Sequence, residues 1–132
     1  GGAASAIAFG LADAGISHIT IANRSAVRAA ELASRLAATY PGLSISTDDQ
    51  DIEHHDLIVN GSTLGMRSSD AEPVDFTRIH ARHLVADAIM EPAMTPLLEA
   101  AQSKGATIFP GKPMLESQIL LMAKHMGALP QD

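Results

Sequence analysis

Arg24 and Arg28 stand four residues apart in the run IANRSAVRAAELA, Ile21 to Ala33, with Ser25 between them. Guanidinium groups one helical turn apart can converge on a single anion, and their planar forks match phosphate oxygens bidentately. Ser25 adds a hydroxyl and, as a helix N-cap, exposes backbone donors. An apolar, β-branched stretch precedes them, so Asn23, Arg24 and Ser25 fall at a strand's carboxyl end. In dinucleotide-binding folds that position faces the adenine ribose, where an acid serves a free 2′-hydroxyl and two cations favour a 2′-phosphate. The pair points to NADP over NAD, against the plainer reading of two solvated arginines.

Other segments could serve the same ligand. GGAASAI opens the chain with Gly1, Gly2 and Ala3, small residues at a helix start that let a phosphate approach backbone N–H groups. The pattern matches the tail of a G-x-G-x-x-G loop, without its strand or first glycine. NGSTLGM, Asn60 to Met66, follows an apolar strand and offers Asn60, Ser62 and Thr63 at a carboxyl end, where open α/β sheets bind ligands. Asp87 lies inside the apolar run VADAI and must find donors or stay protonated; it could equally cap a loop. Gln118 places an amide between Met114 and Met122 on one helical face, either exposed or aimed into a cleft. HARH sets His80 and His83 three apart with no third ligand in view, and the acidic run DDQDIEHHD reads as solvated surface. No metal site is expected, and spacing alone singles out no Ser-His-Asp set.

The elements that must position these residues alternate. Helices are expected over GGAASAIAFGLADAG, SAVRAAELASRLAATY, MTPLLEAAQSKG and PMLESQILLMAKHMG, with Gly15, Pro41-Gly42 and Gly105 as stops for the first three. Strands are expected at SHITIAN, LSIST, DLIVN, HLVADAI and ATIF. Setting aside the acidic run as one possible helical turn, the order is α-β-α-β-β-β-α-β-α, with a long Gly-, Ser- and Asp-rich loop before the fourth strand. This predicts an α/β, Rossmann-like parallel sheet with helices on both faces. Its first strand, which should precede Gly1, is missing from this chain. That leaves two unpaired strand edges and predicts self-association or a swapped element that completes the sheet.

Composition narrows the function classes. The 132 residues suffice for one domain with a core, and 46% are hydrophobic but only 3% aromatic. The formal charge of −6 argues against nucleic-acid or anionic-membrane partners. The first forty residues run against that balance, with three arginines facing only Asp13 and Glu31. There is no cysteine, hence no disulfide, thiolate metal site or thiol nucleophile. No apolar run approaches the roughly 20 residues that span a bilayer.

Taken together, GGA with its helix, ANRSAVRA, DLIVNGSTLGM, VADAI with its following P and TPLL, the G, ML and Q of the last segment, and GALP near the end resemble the shikimate dehydrogenase family. The resemblance covers nearly the whole chain and matches the family's C-terminal, NADP-binding domain, here residues 1–132. It implies that Arg24, Ser25 and Arg28 hold the adenosine 2′-phosphate and that Gly1, Gly2 and Ala3 belong to the pyrophosphate loop. It sets Ser62 and Thr63 beside the cofactor, Ala88 and Gly111 near the nicotinamide, and Gln118 against a small-molecule substrate. The implied reaction is reversible hydride transfer between NADP and a ring carbonyl or hydroxyl of a shikimate-like acid, in the cytoplasm. The family's catalytic lysine and aspartate belong to its N-terminal domain, so no catalytic residue is expected here and this chain alone should be inactive. Met90 stands where typical members carry tyrosine, and PGKPM where they read DGLGM; both differences fall on the nicotinamide and substrate side. Glutamyl-tRNA reductase and methylenetetrahydrofolate dehydrogenase relatives share the NR signature, but ML and Q on the last helix argue against them. The alternative is a non-catalytic nucleotide-sensing or regulatory domain derived from the same fold.

Overall fold

The computed structural model describes residues 2–111. Gly1, Gln118 and the helix expected over 113–127 lie outside them. Helix α1 covers Gly2–Ala14, β1 His18–Thr20, α2 Ala26–Thr39, β2 Ser44–Ser46, β3 Leu57–Asn60, β4 Leu84–Asp87, α3 Pro96–Ser103 and β5 Thr107–Pro110. The expected order holds through β5. Gly15 ends α1 at φ +100°, and Gly105 follows α3 at φ +85°, a backbone region open to glycine at little cost. Pro96 sits in the first turn of α3, where its missing N–H removes no helical bond.

Every strand pair is parallel. The strands form two ribbons, β2-β1 and β3-β4-β5. In a doubly wound sheet of order 3-2-1-4-5-6 these are positions 3-2 and 4-5-6, so position 1 falls between β1 and β3. The topology thus reproduces the expected sheet with its first strand left out.

Helix α1 packs across this seam. Ile7 and Leu11 join Leu84, Ala86 and Phe109 in one apolar cluster. Ala8 and Ala12, one position on, join Leu36 of α2, with Ile19 and Ile45 packed against them. On the opposite face, Leu97, Leu98 and Ala101 of α3 meet Ile58 and Val85. Alternation along β4 explains the division: Leu84 and Ala86 face α1 and Val85 faces α3. All four β4 residues are buried, as a central parallel strand covered on both faces requires. Residues of β1 and β2 are half-buried or exposed.

Two local features differ from expectation, the length of β1 and a turn in the long loop, and the acidic run forms the helical segment allowed for there. Strand β1 is shorter than the SHITIAN run, although the Ile21 N–H still donates to the Ser46 carbonyl at 2.9 Å. The acidic run winds into a 3-10 helix over Asp49–His54, capped by Asp48. A second 3-10 turn, Phe76–Arg78, interrupts the long loop. Arg78 donates to Glu53 Oε1 at 2.6 Å and Oε2 at 2.7 Å, which draws the Glu53 carboxyl down to about 2. The same guanidinium donates to the Asp49 and Gln50 carbonyls, tying the two 3-10 segments together.

Candidate functional site

The described site residues line up along the carboxyl ends of β1, β3, β4 and β5 and the start of α1. After β1, the Asn23 side-chain oxygen accepts from the Ser25 N–H at 3.0 Å. Ser25 Oγ then accepts from the Arg28 N–H at 3.2 Å, which makes it the N-cap of α2. The cap keeps Ser25 extended, so the chain turns sharply from strand to helix and carries Arg24 and Arg28 to the same end of α2. Both arginines are exposed, and among the described residues neither has a salt-bridge partner. Beside them lies a cavity of about 200 Å³, lined by Ala22, Asn23, Ala26, Ala29, Thr47 and Asp49. It has room for one ring system rather than a dinucleotide. Spacing rules did not find Thr47 and Asp49, because they follow β2; the pairing of β1 with β2 brings them to the site.

The loop after β3 meets the start of α1. A Cβ on Gly61 would stand 2.7 Å from Ala4 Cα, closer than real contacts allow, so only glycine permits this approach. The contact sets Ser62 and Thr63 near the first turn of α1. Among the described residues, a Cβ on Gly2 would meet nothing within 4 Å, so packing against them does not demand glycine there. Ser62 Oγ donates to Asn60 Oδ1 at 2.6 Å and accepts from the Leu64 N–H, which fixes the turn while Ser62 and Thr63 stay exposed. Farther along, Asp70 accepts from the Gly65 and Arg67 N–H groups. These bonds hold its carboxyl below the usual range, with smaller contributions from the Arg67 and Arg24 charges.

Asp87 answers its two alternatives together. It is fully buried, and it finds donors by closing the loop that follows β4. The Ile89 N–H reaches Oδ1 at 2.9 Å, Thr95 Oγ reaches Oδ2 at 2.8 Å, and Asn60 Nδ2 lies 3.2 and 3.3 Å from the two oxygens. Burial pushes the carboxyl above its ordinary value and the three donors pull it back. Thr95 also accepts from the Leu98 N–H as the N-cap of α3. Asn60 Nδ2 donates in addition to the Leu64 carbonyl. One network therefore joins the ends of β3 and β4 to the start of α3. Ala88 and Gly111 prolong the ladder beyond the strands, Ala88 N–H to the Asn60 carbonyl and Gly111 N–H to that of Asp87. Gly111 sits at φ +80°.

The HARH pair is structural. Buried His83 accepts from the His80 N–H through Nδ1 at 2.9 Å, and burial lowers its pKa, with Arg82 adding to the effect. Gly1 and Gln118, assigned to the pyrophosphate and the substrate, lie outside the described residues.

Parallel strands with helices on both faces, and polar loops gathered at the carboxyl ends, define a Rossmann-like α/β unit. No family model matches the chain. It is 32% identical over 123 residues to the NADP(+)-dependent shikimate dehydrogenase of Arthrobacter sp. (strain FB24), covering 89% of this chain and 42% of that protein. The shikimate dehydrogenase of Thermus thermophilus, solved with NADP(H) and shikimate, superposes with a TM-score of 0.73 at 27% identity, over 99% of this chain and 48% of that one. The ligand-free 5-ketofructose reductase of a Gluconobacter species (strain CHM43) gives 0.74 at 28%, over 99% of this chain and 50% of that one. This chain is homologous to the C-terminal part of the shikimate dehydrogenase family. It spans less than half the length of the curated relatives it matches.

Proposed function

We propose that the chain is the NADP(H)-binding part of an oxidoreductase acting on shikimate-like cyclic hydroxy acids. The observation that carries this reading is the pair of exposed arginines flanking the Ser25 cap beside a cavity at the end of β1. Arg24 and Arg28 would hold the 2′-phosphate, with Ser25 as a further hydroxyl and Asn23 fixing the turn. The open space over Gly2, at the start of α1 where the Gly61 loop approaches, suits a pyrophosphate on helix N–H groups, with Ala3 as the next residue of that turn. Ala88 and Gly111 would border the nicotinamide, which supplies hydride when bound. No residue here is given a catalytic role, and the chain alone would bind coenzyme without turnover. Gln118 remains the proposed substrate contact.

The test is titration of the complete gene product with NADPH and NADH. Arg24→Ala and Arg28→Ala should each weaken NADPH by about tenfold or more, the value of one charge-assisted contact, and leave NADH nearly unchanged. Equal losses for both coenzymes would overturn the 2′-phosphate assignment.

The slot between β1 and β3 is proposed to take a parallel strand, from the chain before residue 1 or from a second copy. Among the described residues, both flanking strands have an edge without a sheet partner there. Residues 1–132 alone should therefore self-associate. A monodisperse monomer by light scattering, with a cooperative melt, would remove this inference.

A further inference from the structure

The opposite edge of the sheet carries a group of side chains that the coenzyme reading leaves unused. His18 opens β1, Ser44 opens β2, and His55 stands two residues before β3, so all three lie at amino ends. The His18 and His55 rings stack with centroids 5.3 Å apart. Thr20 Oγ lies 3.2 Å from His18 Nε2 and 3.0 Å from His55 Nε2. Asp51, one turn before His55 on the 3-10 segment, brings Oδ1 to 3.4 Å from the same Nε2. The ligand atoms of His18, Asp51 and His55 all fall within 4.8 Å of one another.

We propose that His18, Asp51 and His55 bind a divalent ion of the zinc class. Three features of the chemistry support this. First, a tetrahedral site with bonds of about 2.0–2.1 Å sets its donor atoms about 3.3 Å apart. The Asp51–His55 separation already has that value, and closing the remaining edges asks only for side-chain motion. Second, Asp51 Oδ1 is shielded from water and, among the described residues, has no hydrogen-bond partner, which leaves a carboxylate oxygen directed at imidazole nitrogens without a donor of its own. Third, His18 Nδ1 lies 2.8 Å from Ser44 Oγ. A ring proton held on that side leaves Nε2 as the lone pair facing the cluster, the orientation that outer partners impose on ligating histidines. Two imidazoles and a single carboxylate suit zinc, cobalt or nickel and are poor for magnesium or calcium, which take oxygen ligands. A solvent molecule or Thr20 Oγ would complete four-coordination.

The site would join β1 to the segment entering β3, two strands that share no sheet hydrogen bonds. The site lies at the amino ends of the strands, opposite the carboxyl-end arginines, and it requires that a strand filling the slot leave the three side chains in reach of one another, which titration of the complete gene product tests. Sequence spacing could not show it, because His18 is far from the acidic run that supplies the other two ligands.

The experiment is titration of the metal-free, complete gene product with zinc, followed by calorimetry and thermal melting, and with cobalt, followed by visible absorption. One equivalent should bind, raise the melting temperature and give the intense visible bands of four-coordinate cobalt. His18→Ala, His55→Ala and the near-isosteric Asp51→Asn should each weaken zinc by about tenfold or more, and Ser44→Ala by about tenfold. His54→Ala, which removes the exposed neighbour, should bind as the parent does. Circular dichroism of each metal-free variant separates ligand loss from misfolding, and Asp51→Asn retains side-chain volume should either alanine variant unfold. No stoichiometric binding by the parent, or binding unchanged in Asp51→Asn and in whichever histidine variants fold, overturns the proposal.

Discussion

Ser25 and Thr95 do the same local job in the two ribbons. Each stands after the carboxyl end of a parallel strand, each is extended, and each accepts a hydrogen bond from the N–H three residues on. They differ in the hydroxyl proton. Thr95 is fully buried and donates to Asp87. Ser25 is half-buried, and among the described residues its hydroxyl donates to nothing. Thr95 thus belongs to a closed network that locks β3, β4 and α3 together. Ser25 keeps a donor, and two exposed guanidinium groups flank it. One capping device, placed in a finished core or at an open edge, becomes either structure or, in the function proposed above, a site for an anion.

The closed side should show the larger loss of stability when its cap is removed. Thr95→Val keeps the volume but removes the bond to buried Asp87 and the cap on Leu98. The expected cost is about 2–4 kcal/mol by urea unfolding of the complete gene product. A double-mutant cycle with Asp87→Asn should show strong coupling, because both changes break one bond. A cost below about 1 kcal/mol, with additive effects, would mean that the network is not closed and that the two ribbons do not differ as described.

The same contrast decides what could be read from the sequence. Helix starts and stops were legible because their signals are local: Ser25 and Pro96 at starts, Gly15 and Gly105 at ends. The buried strand β4 and the half-buried β3 announced themselves as unbroken apolar runs. Even the seam between the ribbons was foreseeable, since GGAASAI matches the tail of a G-x-G-x-x-G loop, which in this fold follows a strand that lies between the two ribbons. The arginine pair was visible for the same local reason, four-residue spacing after a strand. What escaped were the partners that topology assembles. Thr47 and Asp49 join the cavity through β1–β2 pairing, and Asn60 reaches Asp87 across a parallel ladder. Asp87 stands out in its apolar run, but its Thr95 donor belongs to a different element and no spacing rule connects them. The acidic run reads as surface in the sequence because His18 comes beside it only when the chain folds.

The open side should lose less stability and more selectivity. Ser25→Ala should cost about 0.5–2 kcal/mol, the usual value of an exposed N-cap, and less than Thr95→Val in the same assay. If the hydroxyl also meets the 2′-phosphate as proposed, NADPH should weaken severalfold while NADH does not. Ser25→Asp separates the two roles. A carboxylate caps a helix about as well as serine and suits the positive end of the dipole, so stability should return to the parent level. The same carboxylate repels a 2′-phosphate and can accept from a 2′-hydroxyl, so the preference between coenzymes should fall or reverse. Parent-like NADPH affinity in Ser25→Asp would show that this cap is structural, as Thr95 is, and the distinction between the two ribbons would no longer concern ligand binding.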